Sequence, residues 1–221
     1  MNTNPDALRV LCYGDSITRW KMPEQLTRYK ANERRTGVMQ QELGEDYEVI
    51  EEWLRGRTTH LDHPVLASRN WLETFYPILM SHLPLDYLVI FLWTNNFQFC
   101  FLNTEKINPI LWLKEYGAIL QEWCGQFGFP LPKVVLVSPP WLDIERIEKS
   151  PSMISFFNEA SVELFQTQET SAVYQSLANS FGRNFFDAAE VIWLAAGDGV
   201  HLTLEQNRHL GETLAEYISH S

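Results

Sequence analysis

Five short apolar runs recur along the 221-residue chain, at positions 9–13, 47–53, 86–93, 133–138 and 184–186, and each intervening stretch is long enough for a helix and its loops. This alternation constrains the fold more than any other feature. Successive strands linked by helices pair in parallel, and the crossing helices cover both faces of the sheet. Two runs, Leu88-Val89-Ile90-Phe91-Leu92 and Val134-Val135-Leu136-Val137, are unbroken rather than alternating, as in strands buried on both sides. Helices are predicted over 36–43, 70–83, 107–127, much of 152–181, and 203–219. The last is well marked: Thr203 is a good N-cap, Gln206 falls where a capping box needs it, and Leu204, Leu210, Leu214 and Ile218 form one apolar face.

No repeat, low-complexity tract or Gly/Ser-rich linker divides the chain, so residues 1–221 are read as a single domain. With 45% hydrophobic residues it can bury a sizeable core, which excludes a disordered chain. A formal net charge of -11 disfavours nucleic acid and anionic membrane surfaces as partners and favours a neutral or weakly charged small molecule. Cys12, Cys100 and Cys124 form neither a CxxC pair nor an even framework and are read as buried free thiols. The N-terminus lacks the pattern of a secretory signal, and the apolar stretch 87–93 is too short to span a bilayer as a helix, so a cytoplasmic location is expected. The charged stretch 18–35 is read as an exposed loop.

The first run stops on Gly14-Asp15-Ser16, which places a serine hydroxyl at the carboxyl edge of a buried strand, where α/β sheets hold their ligands. A hydroxyl there is inert without a base. His201 can supply one, and Asp198, three positions earlier, can hold the imidazole tautomer that leaves one nitrogen free to accept. Read alone, Gly-Asp-Ser is a turn and Asp-Gly-Val-His a capped loop before a helix. Together, each after a strand-like run, they supply the parts of an acyl-transfer site.

The pattern resembles the SGNH hydrolases, also called GDSL-type esterases and lipases, in four ordered blocks that cover nearly the whole chain. Ser16 in Gly14-Asp15-Ser16-Ile17 falls on the family's nucleophile, and Gly56 in Leu54-Arg55-Gly56-Arg57-Thr58-Thr59 on its oxyanion-hole glycine. Asn95 in Leu92-Trp93-Thr94-Asn95-Asn96 falls on the asparagine that completes that hole, and Asp198-Gly199-Val200-His201 on the Asp-x-x-His. The resemblance implies an oxyanion held by the backbone N–H groups of Ser16 and Gly56 and by the Asn95 amide. The third block departs from the family's usual Gly-x-Asn-Asp, with Trp93 for the glycine and Asn96 for the aspartate. Trp93 could narrow the acyl pocket or displace the Asn95 loop.

Other signals are weaker. His60-Leu61-Asp62-His63 has the spacing of metal ligands, but Pro64 follows at once and no third ligand block is present, so no metal is assigned. Arg19 reads as a surface residue. His82, His209 and His220 read as surface or helix-end residues. Trp20, Trp53, Trp93 and Trp141 lie at or just beyond predicted carboxyl strand ends. Core packing accounts for most tryptophans; with Trp93, Trp20 and Trp141 on one cleft, the pocket is apolar and suits an aryl or short acyl group. Neither a dinucleotide fingerprint, a P-loop nor the Gly-x-Ser-x-Gly elbow of the α/β-hydrolases occurs.

The expectation is a flavodoxin-like three-layer α/β/α sandwich with a five-stranded parallel sheet. On it sits a serine esterase cleaving small acyl esters, such as O-acetyl, short-chain or aryl esters, through an acyl-enzyme at Ser16. It needs no cofactor and no metal, its partner is a small-molecule ester, and a homo-oligomer is left open. Since the base must be neutral, activity is expected to fall on acidification. The alternative is a catalytically silent SGNH-fold binding domain, and a more distant one is a flavodoxin-like nucleotide binder.

Overall fold

Strand β1 (Leu8–Gly14) pairs in parallel with β2 (Tyr47–Trp53) on one side and β3 (Tyr87–Phe91) on the other. Beyond β3 follow β4 (Lys133–Ser138) and β5 (Asn184–Asp187), also parallel, giving the order β2-β1-β3-β4-β5. The computed structural model describes residues 2–18, 28–101, 109–167 and 170–221. Gly14 stands opposite both Trp53 and Phe91, so the first three strands end level and their following loops leave from one edge.

Side chains alternate across the strands and split the core in two. On one face Leu11, Tyr13, Leu88 and Ile90 pack under α2 (Trp71–His82), α3 (Pro109–Phe127), α5 (Glu159–Thr167) and α6 (Thr170–Ser180) through Trp71, Phe75, Tyr116, Phe165 and Tyr174. On the other, Val10, Cys12, Val89 and Val137 meet Met39 of α1 (Arg35–Leu43) and Leu210, Leu214 and Ile218 of α8 (Leu204–Ser219). The result is the expected three-layer sandwich. Each fully buried Leu or Ile of α8 contributes about 1.5–3 kcal/mol, and Leu214→Ala would cost about 2–5 kcal/mol.

Local signals explain most element ends. The Thr203 hydroxyl accepts from Gln206 N–H while the Gln206 side chain accepts from Thr203 N–H, the capping box expected for α8. Two short helices lie outside the sequence expectation, α4 (Ile144–Lys149) and α7 (Ala188–Val191), each started by an aspartate cap, Asp143 and Asp187. The helix expected over much of 152–181 begins only at Glu159, because residues 151–156 form turns. The run 86–93 leaves the sheet at Phe91, and Trp93 takes φ +106°.

Two expectations are corrected. Arg35, in the stretch read as an exposed loop, is buried with its guanidinium 4.4 Å above the Phe91 ring; residues 19–27 of that stretch lie outside the described residues. Cys12 and Cys124 are buried, but Cys100 is exposed. Among the described residues no helix is long and apolar enough to cross a membrane.

Candidate active site

The order of the sheet reverses between β1 and β3, and such a switch point opens a crevice at the carboxyl ends of the strands. Ser16 follows β1 in a short 3-10 turn, Gly56 lies on the loop after β2, and Asn95 lies in the 3-10 turn after β3. Asp198 and His201 arrive on the loop before α8. All five line or border one cleft.

Asp15 starts the turn that presents Ser16, its Oδ1 accepting the Ile17 N–H at 2.9 Å. The Arg57 guanidinium lies 4.0 Å above the Tyr13 ring and donates to the Gly14 carbonyl at 2.7 Å, tying the end of β1 to the loop that carries Gly56. Gly56 has φ +72°, a conformation that other residues adopt with strain. At Gly199, φ is +90° and an added Cβ would meet the Asp143 carbonyl oxygen at 2.4 Å, so the loop before His201 requires glycine twice over.

Ser16, Asp198 and His201 are 6%, 5% and 6% exposed. Asp198 Oδ1 accepts the N–H groups of Val200 at 3.0 Å and His201 at 2.8 Å, and Oδ2 lies 2.9 Å from His201 Nδ1. Burial opposes ionisation of this carboxyl, but the bonds from the His201 ring and from the two backbone N–H groups together hold it below the ordinary carboxylate range. A carboxylate only accepts, so Nδ1 carries the hydrogen and Nε2 is left as acceptor. Nε2 lies 2.9 Å from Ser16 Oγ, which donates to it. This is the hydrogen-bond order that turns a hydroxyl into a nucleophile.

The Asn95 amide nitrogen donates to Asp15 Oδ2 at 3.0 Å and to the Arg57 carbonyl at 3.1 Å. Burial pushes the Asp15 carboxyl up to about 6, although the Ile17 N–H, His201, Arg35 and Arg57 all work the other way. Asn96 secures the loop in place of the family's aspartate, bonding to Thr59 through both ends of its amide.

A cavity of about 160 Å³ opens beside Ser16 and His201, walled by Met153, Phe156, Phe157, Leu66, Gln98 and Val200. For Trp93 and Trp141 the tryptophan-lined pocket is corrected. Trp93 is fully buried against Phe97 and Tyr174. Trp141 packs on Phe165 and Trp193, away from the cavity wall. Trp20 and Arg19 lie outside the described residues. Among the described residues no group of three His, Cys, Asp or Glu side chains could hold a metal. The sequence reading missed the wall at 152–157, whose turns carry no periodic pattern, and also Gln98 and Arg57. The position of Arg57 within the second block was the one available signal.

No protein-family model and no curated protein matches the sequence. Solved structures do. An inhibitor-bound aryl esterase of M. smegmatis is 35% identical with a TM-score of 0.85, over 97% of this chain and 99% of that one. A carbohydrate acetylesterase from Sinorhizobium meliloti is 33% identical with a TM-score of 0.82, over 96% and 99%. A lipase/acylhydrolase from Enterococcus faecalis, 18% identical over 96% of both chains with a TM-score of 0.62, shares the fold.

Proposed function

Because the chain belongs to the SGNH, or GDSL-type, hydrolase family and is a carboxylic ester hydrolase, we propose that Ser16 is its nucleophile, His201 its general base and Asp198 the group that orients and stabilises that base. The observation that carries the assignment is the 2.9 Å approach of Ser16 Oγ to His201 Nε2. Ser16 Oγ attacks the acyl carbon as its proton passes to Nε2. The oxyanion receives the backbone N–H groups of Ser16 and Gly56 and the Asn95 amide. Because that amide already has two acceptors, it serves the oxyanion by sharing a hydrogen with it. His201 then protonates the departing alkoxide, leaving an acyl-serine. Water attacks that ester, giving its proton to His201, and the tetrahedral intermediate collapses to release the acid and restore Ser16.

The substrate is a small-molecule ester with a short acyl group. The cavity of about 160 Å³ lies below the roughly 300–1,000 Å³ usual for drug-sized ligands and has room for little more than a short chain. The similarity to a carbohydrate acetylesterase and to an aryl esterase supports an acetyl group on a carbohydrate or an aryl ester as the natural linkage. The net charge of -11 favours neither nucleic acid nor an anionic membrane as partner. Three unpaired thiols support a reducing compartment such as the cytoplasm. A silent binding domain is not favoured, since the relatives at 33% and 35% identity are esterases.

The test is hydrolysis of 4-nitrophenyl acetate by the purified chain and by Ser16→Ala. Turnover by the first and its near-complete loss in the second is expected. A Ser16→Ala variant of ordinary activity would remove the assignment.

A further inference from the structure

His63, passed over as a metal ligand, stands at one end of a continuous hydrogen-bond chain that reaches Asn95. The backbone N–H groups of Val65 and Leu66 both donate to His63 Nδ1, at 3.1 Å each. A ring nitrogen that receives two N–H donors carries no hydrogen, so the imidazole is neutral with its hydrogen on Nε2. Nε2 lies 3.1 Å from Gln98 Oε1 and donates to it, which fixes the oxygen and nitrogen ends of the Gln98 amide. Gln98 Nε2 donates in turn to Asn95 Oδ1 at 2.8 Å. Burial holds the His63 pKa below its ordinary value, with Arg69 adding to the effect and the bond to Gln98 opposing it.

Each link thus dictates the polarity of the next. With its oxygen committed to Gln98, Asn95 turns its amide nitrogen toward Asp15 and the Arg57 carbonyl, beside the cleft. A flipped amide would set oxygen against the Asp15 carboxylate and nitrogen against the Gln98 amide, with Gln98 and Asn95 both buried. We propose that His63 and Gln98 are positioning residues, which hold the Asn95 amide so that its N–H, and not its carbonyl, faces the oxyanion formed at Ser16. The inference rests on the esterase reading above.

The alternative role for the pair is to brace the loop that carries Leu66, and the two roles separate in a mutant cycle. His63→Asn offers an oxygen to the Val65 and Leu66 N–H groups, while its shorter amide nitrogen ends short of the position from which Nε2 donates to Gln98, and Gln98→Met keeps the bulk without a donor to Asn95. For 4-nitrophenyl acetate, each is expected to lower kcat about tenfold, with KM changed less than about twofold for His63→Asn, since His63 is not among the residues that wall the cavity. In an Asn95→Ala background His63→Asn is not expected to lower kcat further, because the group it orients is gone. If His63→Asn does not fold, His63→Ala makes the same comparison. Losses that multiply fully with that of Asn95→Ala, or a change confined to KM or thermal stability, overturn the inference while leaving an active esterase. A wild-type chain that does not cleave the ester overturns the esterase reading and the inference with it.

Discussion

Asn96 is bonded to Thr59 twice: its Oδ1 accepts the Thr59 backbone N–H at 3.0 Å, and its amide donates to Thr59 Oγ1 at 2.7 Å. The pair fastens the loop after β3, with Asn95, to the loop after β2, with Gly56. Thr59 Oγ1 also lies 2.8 Å from His60 Nδ1, so its own hydrogen has a use elsewhere. Restoring the family's aspartate by Asn96→Asp removes the second bond and buries a charge at a site with no exposure. A loss of about 1–3 kcal/mol is expected in urea denaturation at neutral pH; an unchanged midpoint would mean that the second bond contributes nothing.

Trp93 occupies a glycine-like backbone conformation with the bulkiest side chain available. Such a φ costs about 1–3 kcal/mol, while deleting a fully buried tryptophan costs about 3–5 kcal/mol. Packing wins. Trp93→Gly is expected to lower stability by about 2 kcal/mol, a fall in Tm of roughly 4–8 °C for a chain of this size. Calorimetry decides, and a raised Tm would show that backbone strain dominates.

Asp15 carries a pH signature. Its folded pKa, about 6, exceeds the ordinary 3.8, so the native state binds this proton more tightly than the unfolded chain does. The contribution of Asp15 to stability therefore falls as pH rises from about 4 to 6 and stays low above that, by up to about 3 kcal/mol. Asp15→Asn should gain on the wild type across that window and hold a constant difference above it, measured by denaturation at each pH. Turnover should drop about tenfold, since one amide oxygen cannot serve both the Ile17 N–H and Asn95.

Much of this was legible beforehand, for identifiable reasons. Strands β3 and β4 announce themselves because strands buried on both faces must be continuously apolar, and Ser16, Asp198 and His201 fall beside strand ends or a capped helix. Two of the tryptophans expected on the cleft, Trp93 and Trp141, lie off its wall. Tryptophan placement along the chain cannot tell which side of a strand end a ring faces, and Trp93 turns inward through its positive φ. Among the described residues the wall includes Met153, Phe156 and Phe157, from an irregular segment with no period to read. The His63–Gln98 contact joins residues 35 positions apart, which no local pattern signals.

The aromatic wall predicts acyl-chain selectivity. Rates on 4-nitrophenyl esters should be highest for acetyl to butyryl and fall by octanoyl, and Phe157→Ala should shift the optimum to longer chains. A profile that rises steadily to long acyl groups would contradict a pocket of this size.

The central claim is that the His201 ring activates one serine out of the whole chain. Treatment with an aryl phosphonate followed by peptide mass spectrometry tests it directly. A single adduct on Ser16, formed with loss of esterase activity and absent from His201→Ala, is predicted. Full inactivation with Ser16 unmodified, or equal labelling of Ser16 without His201, would contradict it.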